Sequence, residues 1–127
     1  MHLLVAEDND LNWEILSELV AEQDVICDRA VNGKECVEML KKAPPGTYAA
    51  ILMDVHMPVM NGYEATREIR SLTEKSWNSI PILAMTADAF AEDVQACKDS
   101  CMNGHIAKPV NMNILFSWLR KIKNGQI

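Results

Sequence analysis

Five short apolar runs, at residues 3–6, 25–27, 49–53, 80–85 and 105–107, alternate along the chain with segments whose apolar residues recur at helical spacing. Each run is the length of a strand. Between the runs, Leu11, Ile15, Leu16, Leu19 and Val20 form one stripe, followed by Cys36, Val37 and Leu40, and then Ala65, Ile69 and Leu72. Two later stripes follow the same rule: Phe90, Val94, Cys97 and Cys101, then Leu115, Trp118, Leu119 and Ile122. Turn and stop signals separate the periodic segments, at Ala43-Pro44-Pro45-Gly46, Asn61-Gly62 and Pro109.

A strict (βα)5 alternation with strands apolar on both faces demands a parallel sheet covered by helices on both sides, joined by right-handed crossovers. The expected fold is therefore α/β, a doubly wound three-layer sandwich whose helical stripes face the sheet. Periodicity does not set the strand order, but five units of this length fit the flavodoxin-like order 2-1-3-4-5. With 127 residues and no linker or repeat, residues 1–127 are expected to form a single domain.

Composition narrows the function. A formal net charge of −6 disfavours affinity for nucleic-acid phosphates or anionic lipid. No apolar run approaches the roughly 18 residues of a membrane span, and the first residues lack a signal peptide's pattern, so a cytoplasmic domain without direct membrane contact is expected. Cys27, Cys36, Cys97 and Cys101 include no C-x-x-C pair, and free buried thiols are the reading that fits. Trp13, Trp77 and Trp118 show no interleaving with basic residues that would suggest a stacking platform for nucleic acid.

In open α/β sheets, ligands bind beyond the carboxyl ends of the strands. Strand 1 runs into Glu7-Asp8-Asn9-Asp10, strand 3 ends at Asp54, strand 4 at Thr86 and strand 5 at Lys108-Pro109. Glu7, Asp8 and Asp54 gathered together would repel one another unless a cation, a proton or a strong base stood among them. A hard divalent ion suits such a set, since Mg²⁺ takes oxygen ligands at about 2.1 Å, typically from one or two carboxylates, waters and a phosphoryl oxygen. An ammonium group and a hydroxyl facing that ion would hold the remaining oxygens of a phosphoryl group, with Asp54 as its natural acceptor.

These motifs together resemble the receiver domain of two-component signalling. Leu4-Val5-Ala6-Glu7-Asp8-Asn9 is similar to the family's acidic entry, and Met53-Asp54-Val55-His56-Met57-Pro58-Val59-Met60-Asn61-Gly62 to its phosphoacceptor segment. Met85-Thr86-Ala87 and Ala107-Lys108-Pro109 complete the set. The resemblance implies a phosphorelay module in which Asp54 accepts a phosphoryl group from a histidine kinase or a histidine phosphotransfer domain. It implies Mg²⁺ (or Mn²⁺) held by Asp8, Asp54 and the backbone carbonyl of His56, with Glu7 acting through water. Thr86 and Lys108 would grip the phosphoryl oxygens, and Thr86 with His105 would form the switch, although the family often has Tyr or Phe where His105 stands. A cis Lys108-Pro109 peptide and homodimer formation on phosphorylation also belong to what the family implies. The Glu-Asp-Asn entry, the segment Ala84-Met85-Thr86-Ala87-Asp88-Ala89-Phe90 and the few residues after the last helix resemble receivers at the carboxyl end of hybrid sensor histidine kinases, with no output domain expected. Such a receiver is not itself an enzyme and can belong to the cytoplasmic part of a membrane-bound kinase.

Singly, each signal has a plainer explanation. An Asp ending a strand is as often a turn or capping residue, Asp10 suits the positive end of a helix dipole, and Thr86 or Asp88 would cap the helix after strand 4. Lys108 alone would be a surface amine, and Met57 and Met60 packing or partner-contact residues. Two other functions compete: a phosphorylation-independent interaction module of the same fold, and a metal-dependent phosphohydrolase with an Asp nucleophile. The hydrolase generally needs an acid or base two residues after the nucleophile, where His56 stands, and a substrate cap. A flavin site is disfavoured because Glu7, Asp8 and Asp10 would repel the cofactor phosphate.

Overall fold

A computed structural model of the chain describes residues 1–87, 95–96 and 98–127. Strands β1 (His2–Ala6), β2 (Ile26–Ala30), β3 (Ala50–Asp54), β4 (Ile82–Thr86) and β5 (Gly104–Ala107) form one parallel sheet in the order β2-β1-β3-β4-β5. This is the flavodoxin-like arrangement expected from the alternation. Helices α1 (Asp10–Ala21), α2 (Gly33–Lys42), α3 (Gly62–Arg70) and α5 (Met112–Lys123) cover the sheet, and a four-residue helix, α4 (Lys75–Asn78), lies in the connection to β4. Residues 95–96 and 98–99 are also helical.

Successive strand residues point to opposite faces, so each strand feeds two cores. Leu4, Ala6, Ile51, Met53, Ile82 and Ala84 face the side closed by α2 and α3, where Cys36, Val37, Leu40, Ala65 and Ile69 are buried. Leu3, Val5, Leu52, Leu83, Met85 and Ile106 face α1 and α5 and meet Leu16, Val20, Leu115 and Leu119. Asparagine caps start four of these helices: Asn9, Asn32, Asn61 and Asn111 each accept a backbone N–H from their own first turn. At α3 the Glu64 side chain reciprocates by accepting the Asn61 N–H.

Apart from small shifts of strand ends, the described residues depart from the periodic reading most clearly on α1, in β2 and at Cys101. Leu11 and Ile15 are exposed (63% and 50%) although they belong to the expected stripe. The covered line on α1 is Leu16 and Val20 with Trp13 beside them. At 3.6 residues per turn, Leu19, Ile15 and Leu11 step away from Leu16 by about 60°, 100° and 140°, so only the near end of that stripe reaches the sheet. Strand β2 begins one residue later than the apolar run and continues through Asp28 and Arg29, because an edge strand with β1 as its neighbour tolerates polar residues. Cys101 is exposed rather than buried: it follows the helical residues in a left-handed conformation (φ 66°), which turns it off the helix face. Phe90, Val94 and Cys97 of the same stripe, and the cap candidate Asp88, lie outside the described residues. Cys36 is buried and Cys27 half-buried, as thiols in or near the core.

Candidate functional site

The β1–β3 register pairs Ala6 with Met53, so the next residues, Glu7 and Asp54, leave neighbouring strand ends side by side. Both are buried, 2% and 5% exposed. Asp8, one residue further along, is exposed, and Glu7, Asp8 and Asp54 bring carboxylate oxygens within 4.8 Å of one another. Thr86 ends β4 one residue beyond Met85, the register partner of Asp54, and is also buried. From the far edge, Lys108 directly follows β5, precedes a cis Lys108-Pro109 peptide, and donates its backbone N–H to the Thr86 carbonyl at 2.7 Å. The structure therefore gathers at one end of the sheet the residues that chain order scatters over a hundred positions.

The electrostatics turn on one amine. Lys108 Nζ donates to Glu7 Oε1 and to Asp54 Oδ2, each at 2.9 Å. Burial by itself would lower the Lys108 pKa, but the hydrogen bonds and charges of Glu7 and Asp54 outweigh it and hold the ammonium above its ordinary value. The second oxygen of each buried carboxylate is held from the backbone: the His56 N–H donates to Asp54 Oδ1 at 3.2 Å, and the Asn9 N–H to Glu7 Oε2 at 3.3 Å. His56 itself is exposed, so its ring stands in solvent while its backbone touches the site. His105 lies on β5 opposite Ala84, half-buried.

Such a donor set fits a hard divalent cation, because Glu7, Asp8 and Asp54 all offer oxygen and together carry more negative charge than the one lysine among them balances. Beside it, a groove of about 450 Å³ runs between α1 and the start of α5, with Ile15, Leu19, Val110 and Met112 along it and Glu7 and Lys108 at its end. The exposed Ile15 that periodicity assigned to the core forms one lip.

Three residues at or beside the site make contacts that no local signal in the sequence announces. Arg29 donates from Nε to the Glu7 carbonyl at 3.0 Å and pairs through Nη2 with Asp10 at 2.8 Å, so Asp10 has a partner besides the helix dipole. Gly62 passes so close to β3 that a Cβ would stand 2.4 Å from the Asp54 carbonyl. Gly33, at the start of α2, is as close to the loop after β3 and donates its N–H to the Met60 carbonyl at 2.9 Å. Each contact joins segments more than five residues apart, which no spacing rule detects.

The response regulator receiver domain model matches residues 3–120. Among curated proteins, the chain is 39% identical over 114 residues to the peroxide stress-activated histidine kinase mak1 of Schizosaccharomyces pombe, covering 89% of this chain. It is 38% identical over 132 residues to hybrid signal transduction histidine kinase B of Dictyostelium discoideum, covering 96% of this chain. In both cases it spans 7% of the relative's length. Among solved structures, the receiver domain of a Pseudomonas aeruginosa sensor histidine kinase, with a magnesium ion coordinated in its active site cleft, superposes with a TM-score of 0.84 at 32% identity over 94% of each chain. The co-crystal of the Saccharomyces cerevisiae histidine phosphotransfer protein Ypd1 with the receiver domain of Ssk1 gives a TM-score of 0.80 at 30% identity, covering 91% of this chain and 83% of that one.

Proposed function

The chain belongs to the response regulator receiver family of two-component signalling, whose domains relay phosphoryl groups, and from that premise we propose that Asp54 is the phosphoacceptor and residues 1–127 one receiver unit. The observation that carries this reading is the placement of Lys108 Nζ against both Glu7 and Asp54 at the carboxyl end of the sheet. In the proposed reaction Asp54 Oδ attacks the phosphorus of a phosphohistidine, the P–N bond breaks, and the imidazole leaves with that electron pair. The product is an aspartyl phosphate. Positioning and charge neutralisation supply most of the catalysis in such transfers. Lys108 and Thr86 hold phosphoryl oxygens, Asp54 keeps its attacking oxygen oriented by the His56 N–H, and the buried surroundings limit water.

A magnesium ion fits Asp8, Asp54 and the His56 carbonyl as ligands, with Glu7 acting through water; its charge would offset that building on the phosphoryl oxygens. This supports a Mg²⁺-dependent module. Thr86 and His105, on adjacent strands, are the proposed switch pair, and the module signals by a shift between two conformations. The donor is a histidine kinase or a histidine phosphotransfer domain in the cytoplasm, and the apolar groove between α1 and α5 offers it a foothold next to Asp54. No described helix is long and apolar enough to cross a membrane.

Intact-protein mass after incubation with acetyl phosphate, with and without Mg²⁺, tests acceptor and metal together. One phosphoryl group is expected only with Mg²⁺ and only when Asp54 is present, not in Asp54→Asn. If no adduct forms and beryllofluoride does not bind, a phosphorylation-independent module replaces this account. Catalytic turnover of a phosphate ester without a stable adduct would favour the phosphohydrolase.

A further inference from the structure

We infer that Gly33, on α2 and outside the acidic pocket, is a positioning residue that holds the loop after β3 in the shape the phosphoacceptor requires. The inference rests on the receiver reading above and concerns a contact that reading does not use. The Gly33 N–H donates to the Met60 carbonyl at 2.9 Å. A Cβ at Gly33 would stand 2.5 Å from that same oxygen and 3.0 Å from both the Asn61 carbonyl and the Ala65 side chain. The nearest obstacle is backbone, which cannot swing aside as a side-chain tip can.

The loop it holds is strained. Val59 adopts φ 70°, a left-handed conformation that a β-branched residue avoids, while the Met60 N–H closes back on the Pro58 carbonyl at 2.8 Å. Val59 is 78% exposed, so its side chain gains no burial from that backbone. Strained conformations persist where surroundings over-determine them. Here the surroundings are backbone bonds: Gly33 on the Met60 carbonyl, and the Gly62 N–H on the Val55 carbonyl at 3.1 Å. Between those two anchors lies His56, whose N–H orients Asp54 Oδ1. Displacing the Met60 carbonyl therefore moves the segment that carries the His56 backbone.

The test uses the whole chain with Gly33→Ala, Val59→Gly and the double variant, reading Mg²⁺ affinity by NMR titration, amide exchange of His56 and Met60 without metal, and folding by circular dichroism. Gly33→Ala is expected to bind Mg²⁺ at least tenfold more weakly and to exchange the His56 amide at least tenfold faster, with its folded fraction unchanged. A merely structural glycine would lower the melting temperature and leave both readouts within twofold of the parent, and that result overturns the inference. Should Gly33→Ala fail to fold, the double variant is compared with Val59→Gly, whose relaxed turn lets the Met60 carbonyl move aside for the added methyl and so keeps the chain folded; because that carbonyl is displaced, the same tenfold losses are expected, and parity overturns the inference. A parent chain that binds no Mg²⁺ defeats the receiver reading instead, and the metal-free exchange still decides the role of Gly33.

Discussion

Lys108 Nζ sits 2.9 Å from Asp54 Oδ2 and 2.9 Å from Glu7 Oε1, so one ammonium group from beyond β5 bridges the carboxylates at the ends of β1 and β3 and offsets part of their charge. The pair of buried acids is tolerable because of that contact. Fixing the three strand ends together also makes the pocket part of the fold's stability.

Replacing Lys108 with Ala leaves Glu7 and Asp54 buried and uncompensated, a loss of about 3–5 kcal/mol by analogy with broken buried pairs. The melting temperature is expected to fall in chelator and to recover more with added Mg²⁺ than the parent's does, since a ligand of the folded state stabilises in proportion to its binding. Calorimetry with and without Mg²⁺ checks this; equal metal-induced shifts in parent and variant would contradict it. Phosphorylation by acetyl phosphate should drop at least tenfold.

Val59 at φ 70° carries strain that glycine would not. Val59→Gly is expected to raise stability by about 1 kcal/mol, the left-handed penalty for a non-glycine residue less the entropy glycine loses on folding. A urea midpoint below that of the parent would refute the assignment of strain.

Among the described residues, the thiols of Cys101, Cys27 and Cys36 should react in a fixed order. Burial, aided by Glu35, pushes the Cys36 thiol up to about 12, and burial with Asp28 pushes Cys27 up to about 11, whereas Cys101 is exposed. Thiolate is the reactive form, so at pH 8 iodoacetamide should modify Cys101 first, Cys27 slowly and Cys36 only on unfolding. Peptide mapping over time reads the order, and early labelling of Cys36 would break it.

Tyr48 donates its hydroxyl to Asp28 Oδ2 at 2.8 Å, and burial, that bond and the Asp28 charge raise its pKa to about 12. An unfolded tyrosine ionises near 10. The folded state thus holds the proton more tightly, a contribution fully present below about pH 10 and lost as pH rises through about 12. In Tyr48→Phe, stability at pH 7 should fall by about 1 kcal/mol, the worth of one hydrogen bond. Its decline between pH 10 and pH 12 should be shallower. Urea melts across that range decide, and parallel curves for parent and variant would exclude the linkage.

Strand and helix existence was legible because period-2 and period-3.6 patterns are local: Leu3 to Ala6 and Ala50 to Met53 are buried as the apolar runs require, and Cys36, Val37 and Leu40 line α2 as spaced. The site candidates were legible for a related reason, since carboxylates, a hydroxyl and an amine that close apolar runs are carried by the strand ends to one edge of a parallel sheet. Local pattern did not reveal that Ile15 would edge a groove while Leu16 entered the core, a difference of about 100° of helix rotation set by how α1 lies on the sheet. Nor did it reveal that Arg29 would hold the Glu7 carbonyl or that Gly33 would meet Met60. By itself, then, the sequence determined the alternation, the parallel three-layer class and the chemical inventory at the strand ends. The tertiary structure decided which groups touch, because contacts between segments distant along the chain depend on strand register and helix placement, and those are settled only when both faces of the sheet close at once.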